Sequence, residues 1–266
     1  MRMFASDLDR TLIYSERALA DFKQTKMNHL IGVEKKANQN IAFMTKKSLA
    51  DLRYIAENTL FVPVTTRTLE QFKRIFILSI DIPLTYAITS NGANIIYKGN
   101  PHKEWRSLVD ERLKAECASL EEMIKHVESN NLKGTIKIAE SLFFYYILEE
   151  SIHQDTKDLI KSLANQAGWR ISLQGRKLYF MPKPICKGEA VKFIKEREGI
   201  TSIYGAGDSL LDHDFLKTCD FPFVPSHGEL ASETIGDIRY TLTQERGVAA
   251  GEEILSTIKF ALAKSS

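Results

Sequence analysis

Asp7 and Asp9 stand two residues apart in the run Asp7-Leu8-Asp9-Arg10-Thr11, directly after a short, mostly apolar stretch, residues 1–6. That stretch reads as a buried strand that ends at Asp7. In an open α/β sheet, ligands bind just beyond the C-terminal ends of the strands. Phosphoryl transfer needs an anionic nucleophile, a proton donor for the leaving oxygen, and a cation to offset the charge of the transferred group. One aspartate of such a pair can attack phosphorus and also ligate a metal ion. The other can protonate the departing alcohol and then activate water. Asp-x-Asp also occurs in turns and at helix starts, so the pair alone decides little.

Three further stretches carry compatible chemistry. Val64-Thr65-Thr66-Arg67-Thr68 closes an apolar run and leads into a helix, where hydroxyls and backbone N–H groups suit a phosphate oxygen; the plainer alternative is that these threonines only cap the helix. Lys187, followed by Gly188, could neutralise phosphate and hold the nucleophile's carboxylate, although most lysines are simply solvated. In Gly205-Ala206-Gly207-Asp208-Ser209-Leu210-Leu211-Asp212, an apolar strand runs into a glycine-bounded turn carrying Asp208. Magnesium takes oxygen ligands, through one or two carboxylates, substrate phosphate and water. On a helix, Asp208 and Asp212 would share a face, with their repulsion relieved by a cation or by Lys187.

These stretches need a scaffold. A hairpin is expected over 29–45, with a polar turn at 35–40, and Thr45 should cap a helix bearing Leu49, Leu52 and Ile55 on one face. Residues 60–65 read as a strand, against which Pro63 counts if the strand is central. Thr68 and Gln71 form a capping-box pair. Another strand covers 86–90, closed by Asn91-Gly92, and a short hairpin follows at 94–100. The pattern then changes to one long helix over 107–128, strands near 135–139 and 142–149, a helix near 153–167, and strands near 169–173 and 177–181. That is helix-strand-strand twice, an α+β unit. β/α alternation resumes at Lys187, with a strand at 202–205, a helix following Asp208, short strands near Phe221 and Tyr240, and a last helix over 248–264. The expected fold class is therefore α/β: a Rossmann-like parallel-sheet core from 1–103 and 184–266, with an α+β cap inserted at 104–183.

Composition narrows the function classes. The chain has 266 residues, 44% hydrophobic and 26% charged, as in an ordinary globular protein. A formal net charge of +2 gives no footprint for nucleic acid. Three dispersed cysteines suggest neither a disulfide framework nor a zinc site. No apolar run is long enough to span a membrane, and the N-terminus does not look like a signal peptide. The expectation is a cytoplasmic protein with no nucleic-acid or membrane partner. The oligomeric state is left open.

With four stretches in this order and a cap-sized insertion between the second and third, the sequence resembles the haloacid dehalogenase superfamily of phosphatases. The matched elements are Asp7-x-Asp9-x-Thr11, Thr65 before Thr66-Arg67, Lys187, and Gly207-Asp208-Ser209-x-x-Asp212. The duplicated insertion and Ser90-Asn91-Gly92-Ala93 look like the C2-capped, Cof-like and sucrose-phosphatase-like branch (subclass IIB). The resemblance implies Mg2+ as cofactor, held by Asp7, Asp9 (through its backbone carbonyl), Asp208 and Asp212. For Asp212 it leaves open whether the residue is itself a ligand or supports the ligands; it implies Asp7 as nucleophile, Asp9 as general acid/base, and Thr65 and Lys187 as phosphate holders. Thr66, Arg67, Asn91 and Gly92 would contribute to substrate binding. In the cap, Arg176, with Arg170, Lys177 and Tyr179, is a candidate reader of the leaving group. The run Phe143 to Tyr146 could stack on substrate, but alternating aromatics on a strand usually pack a core. Three positions depart from the usual pattern: Arg10 and Thr66 replace glycines, and Leu211 replaces an asparagine. The implied function is hydrolysis of a small phosphorylated metabolite, a sugar phosphate or nucleotide-like compound, through an aspartyl-phosphate. The alternatives are a phosphate-metabolite binding or assembly module with low turnover, or a phosphotransferase to an alcohol acceptor.

Overall fold

The first strand, β1 (Arg2–Ser6), is buried at four of its five positions, as expected where both faces of a parallel sheet are covered. The computed structural model describes residues 1–24, 29–130, 132–232 and 238–264. After β1 come β2 (Tyr14–Ser15), α1 (Glu16–Asp21), the hairpin β3 (Leu30–Lys36) and β4 (Gln39–Thr45), α2 (Lys46–Asn58) and β5 (Leu60–Pro63). Two short helices, α3 (Leu69–Lys73) and α4 (Ile77–Ile80), lead to β6 (Tyr86–Thr89), β7 (Asn94–Tyr97) and β8 (Asn100–Pro101). The middle of the chain holds α5 (Lys103–Glu116), α6 (Leu120–Glu128), β9 (Gly134–Ala139), β10 (Phe143–Leu148), α7 (Gln154–Gln166), β11 (Trp169–Gln174) and β12 (Lys177–Pro182). The remainder is α8 (Lys187–Arg197), β13 (Ser202–Ala206), α9 (His213–Leu216), β14 (Phe221–Val224), β15 (Thr241–Leu242) and α10 (Val248–Lys264).

The chain divides into two compact units, Met1–Pro101 with Lys187–Ser266, and His102–Cys186. The first contains a five-stranded sheet in the order β15-β14-β13-β1-β5. Every pairing in it is parallel. Pro63 is accommodated because β5 is the edge strand: Val64 N–H donates to Ser6 O at 2.7 Å, so the proline nitrogen faces the outer side. Phe4, Leu52, Ile55, Phe61, Ile254 and Ile258 anchor the core between this sheet, α2 and α10. Thr45 caps α2 by accepting from Ser48 N–H, and Thr68 and Gln71 form the expected capping box on α3. Among the described residues, no helix is long and apolar enough to cross a membrane.

The second unit is an antiparallel sheet in the order β11-β12-β10-β9, accompanied by α5, α6 and α7. One long helix was the expectation for 107–128, but the chain breaks at 117–119. Ser119 starts a new helix with a capping box to Glu122, a local signal that outweighs the continuing apolar periodicity. The break is tied to the α7–β11 junction by two bonds. Ala118 N–H donates to Ala167 O, and the Trp169 indole N–H donates to Ala118 O, both at 2.8 Å. Phe143, Phe144 and Tyr146 are buried, and Phe144 stacks on Phe180 at a centroid distance of 4.7 Å, so most of the aromatic run is core.

A second correction concerns Asp208. The helix expected to follow it begins only at His213, so Asp208 and Asp212 do not share a helix face. Residues 208–212 form a turn.

Candidate active site

Asp7 lies one residue beyond β1, Asp208 two residues beyond β13, and Thr65 two beyond β5. These strands are neighbours in the parallel sheet, so their C-terminal ends deliver the three side chains to one edge. Asp7 N–H donates to Ala206 O at 2.8 Å and locks the two loops together.

Carboxylate oxygens of Asp7, Asp208 and Asp212 lie within 4.8 Å of one another, and all three residues are buried. The Lys187 amine joins them, with Nζ 2.8 Å from Asp7 Oδ1 and 2.6 Å from Asp212 Oδ1. Lys187 is the first residue of α8 and is only 1% exposed. The turn after β13 is held by Asp212 Oδ2, which accepts from Asp208 N–H at 3.1 Å and from Ser209 N–H and Oγ–H, each at 2.9 Å. The close approach needs the glycine at 207, where a Cβ would sit 2.5 Å from that of Asp212.

Electrostatics show an excess of negative charge. Burial, with repulsion from Asp212 and Asp9, pushes the Asp7 carboxyl up to about 7 despite the attraction of Lys187. Burial first, then Asp7 and Asp212, hold Asp208 well above the usual carboxylate range. The acids drive the Lys187 amine upward against its own burial, so it stays cationic.

Asp9 sits apart from that cluster in its bonding. Its two oxygens accept from Arg67 Nε and Nη2, both at 2.7 Å, a bidentate pair. Arg67, expected among the substrate-binding residues, therefore commits its guanidinium to Asp9 on one side. On the other, Nη1 is 2.9 Å from Glu34 Oε2, a close ionic contact outside hydrogen-bonding directions. Thr65 is fully buried and its Oγ1 accepts from Arg67 N–H at 3.1 Å. Thr66 is half-buried in the turn ahead of α3, which starts only at Leu69.

Asn91 and Gly92 lie in a buried 3-10 turn, Ser90–Gly92, that packs on α8. Asn91 N–H donates to Thr65 O at 3.0 Å, and Ser90 N–H to Arg67 O at 2.7 Å, so this turn braces the Thr65 loop. Arg176 belongs to the other unit, where its Nε donates to Leu148 O at 2.8 Å.

Sequence reasoning noted Arg10 only as a departure from glycine and missed Glu34 altogether. Arg10 has φ 61°, the left-handed conformation that favours glycine, and its Nε reaches to 3.6 Å from Asp208 Oδ2. Glu34 is a buried acid on the 30–45 hairpin. A charged residue in an alternating strand reads as solvent-facing, and the irregularity that turns it inward leaves no mark in the residue types.

No family model matches the chain, and no curated protein sequence matches it. Solved structures do. The sucrose-phosphatase of Synechocystis sp. PCC6803, in complex with sucrose and phosphate, is similar at 15% identity over 97% of this chain and 98% of its own, with a TM-score of 0.69. A trehalose-6-phosphate phosphatase related protein shares 14% identity over 99% of this chain and all of its own (100%), with a TM-score of 0.57. The haloacid dehalogenase-like hydrolase protein yhjK of Bacillus subtilis shares 14% identity over 96% and 91%, with a TM-score of 0.56. At these identities the shared property is the fold. It is the fold of the haloacid dehalogenase phosphatases, in agreement with the resemblance carried by the four motifs.

Proposed function

We propose that the chain is a Mg2+-dependent phosphomonoester hydrolase acting on a small phosphorylated metabolite, a sugar phosphate foremost, through an aspartyl-phosphate on Asp7. One observation carries the reading: three buried carboxylates from two distant stretches of the chain cluster together, and two of them bind one buried lysine. The donor set is all oxygen, which suits Mg2+ and not a soft metal. One buried cation, Lys187, serves the three acids, with Arg10 at 3.6 Å from Asp208; the Asp7 carboxyl is raised first by burial and then by repulsion from Asp212 and Asp9, and a divalent ion would offset both. Asp7 and Asp208 would hold the ion, together with the Asp9 backbone carbonyl that the family pattern implies. Both oxygens of Asp212 already accept hydrogen bonds, so its part is to fix Lys187 and the 208–209 turn. When bound, Mg2+ supplies charge neutralisation at the transferred phosphoryl group.

The chain's own residues do the rest. An Asp7 oxygen forms a bond to phosphorus as the bond to the leaving oxygen breaks. Asp9 delivers a proton to that oxygen and then takes one from the water that attacks phosphorus and frees Asp7. Lys187 holds Asp7 and offers positive charge to the phosphoryl group. The Thr65 oxygen accepts from Arg67 N–H, which leaves its own proton for a phosphate oxygen. We assign the choice of leaving group to the inserted unit, with Arg176 among its candidates. Sugar phosphates come first because phosphatases of sucrose phosphate and trehalose 6-phosphate share the fold. Three free cysteines fit a reducing cytoplasm.

The test is a screen of phosphorylated metabolites with and without Mg2+. Phosphate release that needs Mg2+ supports hydrolysis. Tight binding with no release supports a binding module, and phosphate recovered on an added alcohol supports a phosphotransferase.

A further inference from the structure

We infer that Glu34, a buried acid on the β3–β4 hairpin, is a positioning residue for Asp9 and acts through Arg67. The inference rests on the reading of Asp9 as the acid that protonates the leaving group.

Asp9 has a side chain that is 49% exposed, and Arg67 binds both of its carboxylate oxygens. The direction of the carboxyl therefore depends on where Arg67 is held. Arg67 has a largely buried side chain, and its remaining terminal nitrogen faces Glu34 Oε2. Glu34 in turn has its other oxygen 3.1 Å from Arg74 Nε. Two acids and two guanidinium groups thus form a chain in the order Asp9, Arg67, Glu34, Arg74. Its end members are exposed by a third or more, and Glu34 itself is only 1% exposed.

The backbone is shaped to aim Glu34 inward. Strict alternation would put Val33 and Glu34 on opposite faces, yet both are buried. The register explains it: Gly32 pairs with Phe43 and Glu34 with Ala42, which leaves Val33 as the extra residue of a bulge. Bulges redirect side chains and recur beside active sites. Val33 enters the apolar core while Glu34 reaches Arg67. Lys35 N–H donates to Arg74 O at 3.2 Å and ties the hairpin to the α3–α4 connection. An isolated buried carboxylate is costly, and among the described residues the ionic partners of this one are the arginine on Asp9 and a second arginine behind it.

A proton delivered to the leaving oxygen matters most when that oxygen leaves poorly. In the step concerned, the Asp7–phosphorus bond forms, the phosphorus–oxygen bond breaks, and the Asp9 proton goes to the departing oxygen. Misdirecting Asp9 should therefore spare p-nitrophenyl phosphate, whose leaving group needs little protonation, and penalise phenyl phosphate. The readout is the ratio of kcat/KM for the two esters, with Mg2+, in wild type and in Glu34→Gln. A ratio taken on one preparation cancels any loss of folded protein, and kcat/KM reports the step up to formation of the aspartyl-phosphate. We expect the ratio to widen roughly tenfold or more, a fraction of the rate that general acid catalysis supplies. Glu34→Asp keeps the charge with a shorter reach, and if Glu34→Gln does not fold, Glu34→Asp carries the same test with a smaller widening. An unchanged ratio, with both esters slowed alike or neither slowed, overturns the inference while leaving the hydrolase reading intact. Wild-type protein that turns over neither ester with Mg2+ overturns the hydrolase reading itself, and this inference with it.

Discussion

Lys187 and Asp7, 180 positions apart in the chain, meet at 2.8 Å inside the protein. The same amine reaches Asp212 at 2.6 Å, so one lysine neutralises part of a three-carboxylate cluster. Removing one partner of a buried ion pair leaves uncompensated charge, at about 3–5 kcal/mol. Lys187→Met should therefore lower unfolding free energy by about that amount in metal-free buffer. Denaturant unfolding followed by circular dichroism measures it. A loss near zero would mean that the acids are not buried around this amine.

The Asp7 carboxyl gives a pH dependence of known sign. Its ordinary value is 3.8, and in the folded chain, chiefly through burial, it is raised to about 7. The folded protein then binds this proton more tightly than the unfolded chain does. Its contribution to metal-free stability is complete below the ordinary value and is lost as pH rises through about 7. Mg2+ bound as proposed would favour the ionised form and oppose that loss. The rise in Tm on adding Mg2+ should be larger at about pH 8 than at about pH 6. Scanning calorimetry on wild type and Asp7→Asn measures it, with the difference between the two pH values reduced in the variant.

In the inserted unit, two glycines with left-handed backbones separate strain from crowding. Gly168 has φ +76°, and a Cβ there would lie 2.1 Å from Glu116 O and 2.7 Å from Cys117 Cα. Gly175 has φ +57° and open space around it. Gly175→Ala should cost about 1 kcal/mol, the backbone contribution alone. Gly168→Ala adds overpacking against the α5–α6 break and should cost about 2–4 kcal/mol. Thermal unfolding of the two variants side by side checks the order.

Much of this site was legible because its residues end strands. Asp7, Thr65 and Asp208 each follow an apolar run, and a parallel sheet lines up such ends without further information. The hairpin over 29–45, the Thr45 cap and the Thr68–Gln71 box were likewise legible, since each rests on local chemistry. Where reading failed, a local signal was outweighed or invisible. Ser119 and Glu122 formed a capping box inside what periodicity joined into one helix. Asp208 and Asp212 looked like helix neighbours, but their proximity comes from hydrogen bonds of the Asp212 carboxylate to the turn. Glu34 was hidden because a bulge changes which face a residue occupies without changing the residue. Arg10, read as a departure from a usual glycine, keeps the left-handed backbone that explains the glycine.

Asp7→Asn tests most directly whether Asp7 is the nucleophile. Asparagine is nearly isosteric and neutral, and since the native carboxyl is already pushed toward its neutral form, the variant should fold at least as stably as wild type. The measurement is Mg2+-dependent phosphate release from the best substrate of the screen, with folding confirmed by circular dichroism. With Asp7 as the nucleophile, the variant is a folded protein with no turnover above background. Release at the wild-type rate by folded Asp7→Asn would contradict it.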